Sequence, residues 1–334
     1  MLNDLYRNSE GLAWILDSRH KKALQVQGWR ERPEGLESHF YAPDFALFAE
    51  APWLWGETIE VPNSILTRGL PKLIHRAEPA SGEFARVFED IQARIAAGAF
   101  SKVVPIVEEE LEFNADLCAN MFPGAFQVHE HQVSYGFEFG GEGLCGVTPE
   151  VLFSVEDQVL QTMALAGTGP SDGPSLLSDP KERQEHDLVV EHIVSELKRW
   201  GSPDVGPTQE RTYGMLKHLY TPIHLDLERE PEFMELVVRL HPTAALGGWP
   251  RSPAVEWLQT QPFQTSRGRF GAPFGYVDRE RMLCVVAIRG LQWKGPCARV
   301  AAGCGIVAQS QVLKEWEELG LKRASVWIRL GASL

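Results

Sequence analysis

Between Val133 and Leu165 the chain strings together four short β-rich runs, Val133 to Phe139, Leu144 to Val147, Val151 to Val155 and Val159 to Leu165, parted by polar or glycine-containing turns. Links this short suit neighbouring antiparallel strands and leave no room for a crossover, so a meander in a largely antiparallel sheet is expected. Further strands are predicted at Ser101 to Glu108, Arg269 to Val277, Met282 to Trp293 and Cys297 to Val307. Helical spacing takes over elsewhere. Glu83 to Gly98 presents Phe84, Val87, Phe88, Ile91 and Ile95 on one face and stops at a glycine; Asp179 to Trp200 spaces Leu188, Val189, Ile193 and Leu197 in the same way. From about Gln311 onward, Leu313, Trp316, Leu319 and Val326 mark a third stripe, and a shorter helix is expected from Glu232 to Leu240. Residues 1 to about 78 read as short strands and turns. A chain of 334 residues buries a large core, and no internal break divides it. The expectation is one α+β domain over 1–334, with 1–82 completing a sheet.

A formal net charge of −13 works against binding a polyanion, since nucleic-acid affinity needs clustered Lys and Arg that release counterions. Asp4, Arg7, Glu10 and Asp17 interrupt the apolar residues of the N-terminus, and no window approaches the roughly 18 apolar residues of a membrane span. A cytoplasmic protein with no nucleic-acid or membrane partner is expected. The five cysteines (118, 145, 284, 297 and 304) have no C-x-x-C spacing, and their odd number fits reduced thiols.

Charged residues inside these elements raise the question of chemistry. Glu315, Glu318 and Lys322 recur at i, i+3 and i+7 on one helix face, and Glu182 and Glu185 stand three apart in the first turns of another. Such pairs are commonly a solvated face; two helices each offering two acids would also build an all-oxygen site for a hard cation such as Mg²⁺. Gly303 and Gly305, which flank Cys304 at the end of the last strand, allow close approach to backbone N–H groups. Lys102 opens a strand beside Val103 and Val104, where a lysine is ordinarily a solvated edge residue. Glu150 follows Pro149 directly, and Ala164 to Thr168 ends a strand in a small-residue loop. Arg289 closes the apolar run Cys284 to Ile288 and needs an anionic partner, from the protein or from a ligand.

In this order the stretches resemble the chorismate-utilising enzymes, the group of isochorismate synthase, salicylate synthase, the anthranilate synthase large subunit and aminodeoxychorismate synthase. The residues that carry the likeness are Phe100 to Val104, Val147 to Glu150, Leu165 to Thr168, Lys181 to His186, Leu240 to Gly248, Ala287 to Arg289, Ala302 to Val307 and Glu315 to Glu318. The resemblance implies two large antiparallel sheets packed together with helices outside, and a Mg²⁺-dependent site for chorismate. By position Glu185 and Glu318 look like the metal ligands, with Glu182 and Glu315 beside or behind them. Arg289, the N–H groups around Gly303 to Gly305 and Lys322 look like binders of the substrate carboxylates, with Thr168 and Phe270 as wall residues. Lys102 matches the general base of the water-using members, where ammonia-using anthranilate synthases would have glutamine, and Glu150 looks like the general acid. Ala166 stands where aminodeoxychorismate synthases tend to carry a nucleophilic lysine. The resemblance thus implies isochorismate as product, for menaquinone or siderophore synthesis, from a monomer or weak homodimer; the alternatives are salicylate synthase and a chorismate-binding protein without turnover. Pro105 and Val107 depart from the family's pattern, and Pro105 removes an N–H from the predicted strand.

Overall fold

The computed structural model describes residues 11–33, 38–60, 67–127 and 130–331, so Asp4, Arg7 and Glu10 lie outside the described residues. Seventeen strands form one continuous hydrogen-bonded ribbon, every pairing antiparallel. Its first half runs from Leu73–Ala77 through Ile106–Phe113, Cys297–Gly303, Gly290–Lys294, Glu142–Thr148, Val133–Phe139 and Gly11–Leu16 to Lys21–Arg30. Its second half runs from Trp53–Ile59 through His39–Tyr41, Pro273–Val277, Arg281–Val286, Val151–Glu156 and Val159–Pro170 to Leu216–Asp226, whose far edge carries Gln209–Tyr213 and Asp204–Val205.

An open twisted sheet this wide curls or splits into packed layers. Here the halves stack face to face, with Tyr135 of the first against Phe274 of the second at 5.4 Å between ring centroids. Ala13, Leu24, Phe40, Leu54 and Val285 fill the same layer. Each fully buried side chain of this size contributes about 1.5–3 kcal/mol, which is why the two apolar faces close on each other. The two layers are joined through the pair Lys21–Arg30 and Trp53–Ile59, so the N-terminal strands link the sheets as well as extend them.

Six helices cover the outside among the described residues: α1 (Ser81–Ala96), α2 (Pro180–Leu197), α3 (Phe233–Leu240), α4 (Arg251–Gln259), α5 (Pro262–Ser266) and α6 (Val312–Leu330). Val189, Ile193 and Leu197 of α2 and Leu236, Val237 and Leu240 of α3 pack on the second half. Val326 and Leu330 of α6 pack on the first half, beside Trp14, Leu111 and Trp293. Phe84 of α1 stacks near Trp316 of α6 at 5.6 Å.

Several expectations change. The expected meander from Val133 to Leu165 is two hairpins, Val133–Phe139 with Glu142–Thr148 in the first half and Val151–Glu156 with Val159–Pro170 in the second, because the chain crosses between the layers at Pro149 and Glu150. The predicted strand Ser101 to Glu108 is two elements: Lys102–Val103 pairs with Gly248–Trp249 in a separate two-stranded sheet, and Ile106–Phe113 joins the main ribbon. Pro105 sits at the break, as its missing N–H requires. The predicted strand Met282 to Trp293 is also interrupted, at Ala287 to Arg289, where Arg289 takes φ +56°. The strand predicted to end at Leu165 instead runs to Pro170 through an irregularity between Ala166 and Thr168. Leu313 is 74% exposed, and the buried face of α6 is Glu315, Leu319, Val326 and Leu330. The strand Leu216–Asp226 and helices α4 and α5 were not anticipated.

Candidate active site

Helix α2 begins where it does because Asp179 caps it, accepting from the N–H groups of Lys181 (2.9 Å) and Glu182 (3.2 Å), with Pro180 in the first helical position. A cap of this kind contributes about 1 kcal/mol and sets the helical phase of the residues that follow. Lys181, Glu182 and Glu185 then meet Glu315 of α6. The Lys181 Nζ lies 3.1 Å from Glu182 Oε1, Glu185 Oε2 and Glu315 Oε1. On the other side of Glu185, Oε1 is 3.1 Å from the Nζ of Lys102. Glu318 pairs with Lys322, whose Nζ donates to Gly303 O at 2.8 Å.

The solvated-face reading fails for these acids, since Glu182, Glu185 and Glu315 are 9%, 7% and 2% exposed. Burial and the neighbouring carboxylate of Glu185 push Glu182 up to about 7, and burial and Glu318 do the same to Glu315. Burial acts on Glu185 too, but Lys102, Lys181 and Lys322 outweigh it and hold that carboxyl down at about 2. The donor set is that of a hard-cation site: carboxylate oxygens ring one point, and Glu315 Oε2 is buried with no hydrogen-bond partner. The point is held by an ammonium at 3.1 Å, whereas Mg²⁺ draws its oxygens to about 2.1 Å. Accordingly, no cluster of three His, Cys, Asp or Glu side chains is arranged as a ready metal site among the described residues.

Beside this cluster Glu150, Thr168, Glu185, Phe270, Arg289, Gly303, Gly305 and Lys322 line one cavity. Gly167 (φ +75°) is the unpaired residue of a bulge opposite Leu219 and His218, and glycine tolerates that conformation without strain. The bulge turns Thr168 toward α2, so that its N–H donates to Glu182 Oε2 at 2.8 Å. Arg289 enters through its left-handed backbone and donates to Ser325 Oγ and His218 Nε2, each at 3.0 Å. No ion pair to Arg289 forms among the described residues, which leaves the charge demand of its guanidinium facing the cavity. Burial lowers it from 12.5 to about 10, against the pull of Glu318 and Glu150. His218 is kept neutral by burial, Arg289 and Lys322. Because its Nε2 accepts from Arg289, the proton sits on Nδ1, 3.0 Å from Thr168 Oγ1.

Glu150 is 4% exposed, and burial pushes its carboxyl up to about 7 although Lys102, Lys322 and Arg289 pull the other way. Lys102 is fully buried and does not itself line the cavity; it lies behind Gly305 and Glu185. Burial drives its ammonium below the ordinary lysine range, opposed by Glu185. Its Nζ is close to Glu185 but has no aligned hydrogen bond. Gly305 is required here for an internal reason, since a Cβ on it would run into Glu185 Oε1 and Lys102 Cε. Glu182, Glu315 and Glu318 line an adjacent cleft instead of the cavity.

Three contributors escaped the sequence reading. Lys181 stands four residues before Glu185, a spacing that pairs opposite charges on a helix, and this was the available signal. His218 carries no local signal. Arg267, fully buried, donates to Leu246 O and Phe270 O at 3.1 Å and so fixes two residues of the cavity wall.

Residues 56–331 match the family model described as chorismate binding enzyme. The isochorismate synthase MenF of Bacillus subtilis is 32% identical over 266 residues, which cover 75% of this chain and 55% of that protein. The salicylate biosynthesis isochorismate synthase of Pseudomonas aeruginosa is 34% identical over 207 residues, 58% of this chain and 43% of that one. The chain thus spans about half the length of the curated relatives it matches. Among solved structures, the menaquinone-specific isochorismate synthase MenF of Escherichia coli superposes with a TM-score of 0.81 at 22% identity, over 96% of this chain and 88% of that one, a likeness of fold.

Proposed function

We propose that this chain, which belongs to the chorismate binding enzyme family, is an isochorismate synthase acting as one domain over residues 1–334. The observation that carries this reading is the placement of two buried groups, Glu150 in the cavity wall and Lys102 behind the wall residues Gly305 and Glu185, with burial favouring the neutral form of each. That is the protonation pattern a displacement by water needs, a base for the nucleophile and an acid for the leaving group.

In this reading Arg289 and Lys322 bind the carboxylates of chorismate, which supplies the anion that Arg289 lacks within the protein. His218 and Ser325 hold the guanidinium in place, and Thr168, Leu246 and Phe270 form walls. Lys102 takes a proton from water as its oxygen bonds to ring C2; the double bond shifts, and the C4 hydroxyl departs as water with the proton of Glu150. One water enters and one leaves, so the product is an isomer of the substrate. Lys102 ends protonated and Glu150 ionised, and proton exchange resets both. Glu185 and Glu318 would hold Mg²⁺, with Glu182 and Glu315 adjoining it. Bound there, the metal would neutralise the ring carboxylate of the substrate. No helix among the described residues is long and apolar enough to cross a membrane, in keeping with a cytoplasmic enzyme supplying isochorismate to menaquinone or siderophore synthesis.

The test is to incubate the protein with chorismate and Mg²⁺ and to separate the products by chromatography. Isochorismate is expected, lost on chelation and in Glu185→Gln. Salicylate with pyruvate would assign the chain to the eliminating branch, and full turnover in excess chelator would overturn the metal site.

A further inference from the structure

We propose that Lys181 is a tethered stand-in for the metal: its ammonium holds the carboxylates of Glu182, Glu185 and Glu315 together until a divalent cation displaces it. This rests on the magnesium reading above, shares with it the ligand Glu185 and the adjoining Glu182 and Glu315 while Glu318 pairs with Lys322, and adds a competitor built into the chain. Three buried carboxylates from two helices share one small volume only if a cation lies between them or protons neutralise them, because like charges at low dielectric repel strongly. The cation in this structure is Lys181, with 3.1 Å to one oxygen of each acid. Only the contact to Glu185 is an aligned hydrogen bond, so the ammonium fits the ring of oxygens loosely. Glu315 Oε2 remains buried without a partner, a donor atom still unused.

The lysine also has somewhere to go. A cleft separate from the substrate cavity is lined by Lys181, Glu182, Glu315 and Glu318 together with the polar residues Gln309 and Ser310. A hydrated cation reaches the acids from that side while the ammonium swings out into the same polar cleft. The consequence is that the metal-free site stays folded and closed, and the apparent metal affinity is the intrinsic affinity reduced by the fraction of time the lysine is in place. If the lysine holds the position about nine-tenths of the time, the reduction is about tenfold.

The experiment uses the full chain, stripped of metal. Mg²⁺ binding is measured by calorimetry for wild type, for Lys181→Met, which keeps the length of the side chain without its charge, and for Lys314→Met. Lys314 is exposed in the same cleft and controls for charge alone. Lys181→Met should bind Mg²⁺ about tenfold more tightly, melt at a lower temperature than wild type in chelator, and gain more from added Mg²⁺. Lys314→Met should change affinity less than about twofold, as expected of a screened surface charge. In wild type, acetylation of Lys181 read by mass spectrometry should rise on saturation with Mg²⁺, a readout that needs no variant to fold. Unchanged labelling, equal or weaker Mg²⁺ binding by Lys181→Met, or equal tightening by Lys314→Met would overturn the displacement while leaving the metal site standing. If no form binds Mg²⁺, the metal reading itself falls, and the displacement with it.

Discussion

Replacing Glu150 with glutamine should make the protein more stable above neutral pH and at the same time inactive. Glu150 is 4% exposed and its carboxyl is raised from 4.5 to about 7, chiefly by burial. Below pH 4.5 the group is protonated in both the folded and the unfolded chain and contributes no pH dependence. Between 4.5 and about 7 the folded chain keeps a proton that the unfolded chain has lost, so stability declines as pH rises through this window. At about 1.4 kcal/mol per pH unit, the ionised carboxyl costs the folded state about 3 kcal/mol once the pH is well above 7. Glutamine has nearly the same shape and never ionises. Urea unfolding of both proteins at pH 4.5 and 8.5 should therefore show Glu150→Gln gaining on wild type by about 3 kcal/mol across the interval. Isochorismate formation should fall by about 10² to 10⁴ in the same variant, as for loss of a general acid. A stability difference that stays flat from pH 4.5 to 8.5 would mean that the carboxyl ionises normally, and the assignment of Glu150 as the acid would lose its basis.

Lys102→Ala should retain chorismate affinity in the presence of Mg²⁺, measured by calorimetry, yet lose about 10² to 10⁴ in rate in both directions; near wild-type turnover would show that another group activates the water. Arg289→Lys removes the fork that reaches Ser325 and His218, and kcat/KM should fall by about 10- to 100-fold, the worth of a charged hydrogen bond; an unchanged value would mean that Arg289 does not bind substrate. Gly305→Ala should cost about 1–3 kcal/mol in urea unfolding and impair turnover, because its Cβ displaces Lys102 or Glu185; a stable, fully active variant would show that their pairing is dispensable.

Local pattern was enough for much of this protein. The four strands between Val133 and Leu165, the helical phases of α1 and α2, the position of α6 and the i, i+3 acid pairs are legible because strand and helix periodicity act over a few residues. That the four strands form two hairpins in opposite halves and not one meander is not legible, since the layer a strand joins is set by long-range pairing. The N–H that Pro105 lacks was an available signal for the break there, although Ser101 to Glu108 reads as one strand. Nothing comparable announced the break at Arg289, where the apolar run Cys284 to Ile288 reads as uninterrupted strand. Its backbone is held from distant segments, Val147 N–H donating to Arg289 O and Tyr135 O–H to Ile288 O, while its guanidinium reaches His218 and Ser325. Likewise the spacing of Leu313, Trp316 and Leu319 points to an ordinary apolar stripe, whereas in the folded chain Glu315 is buried against Lys181 of α2 and Leu313 is left in solvent. The sequence by itself determined which residues carry charge and which of them share a helix face. Only the tertiary structure decided that Glu182, Glu185 and Glu315 surround one ammonium and that burial shifts Lys102 and Glu150 toward their neutral forms, because dielectric and long-range approach are properties of the packed chain and not of any segment in it.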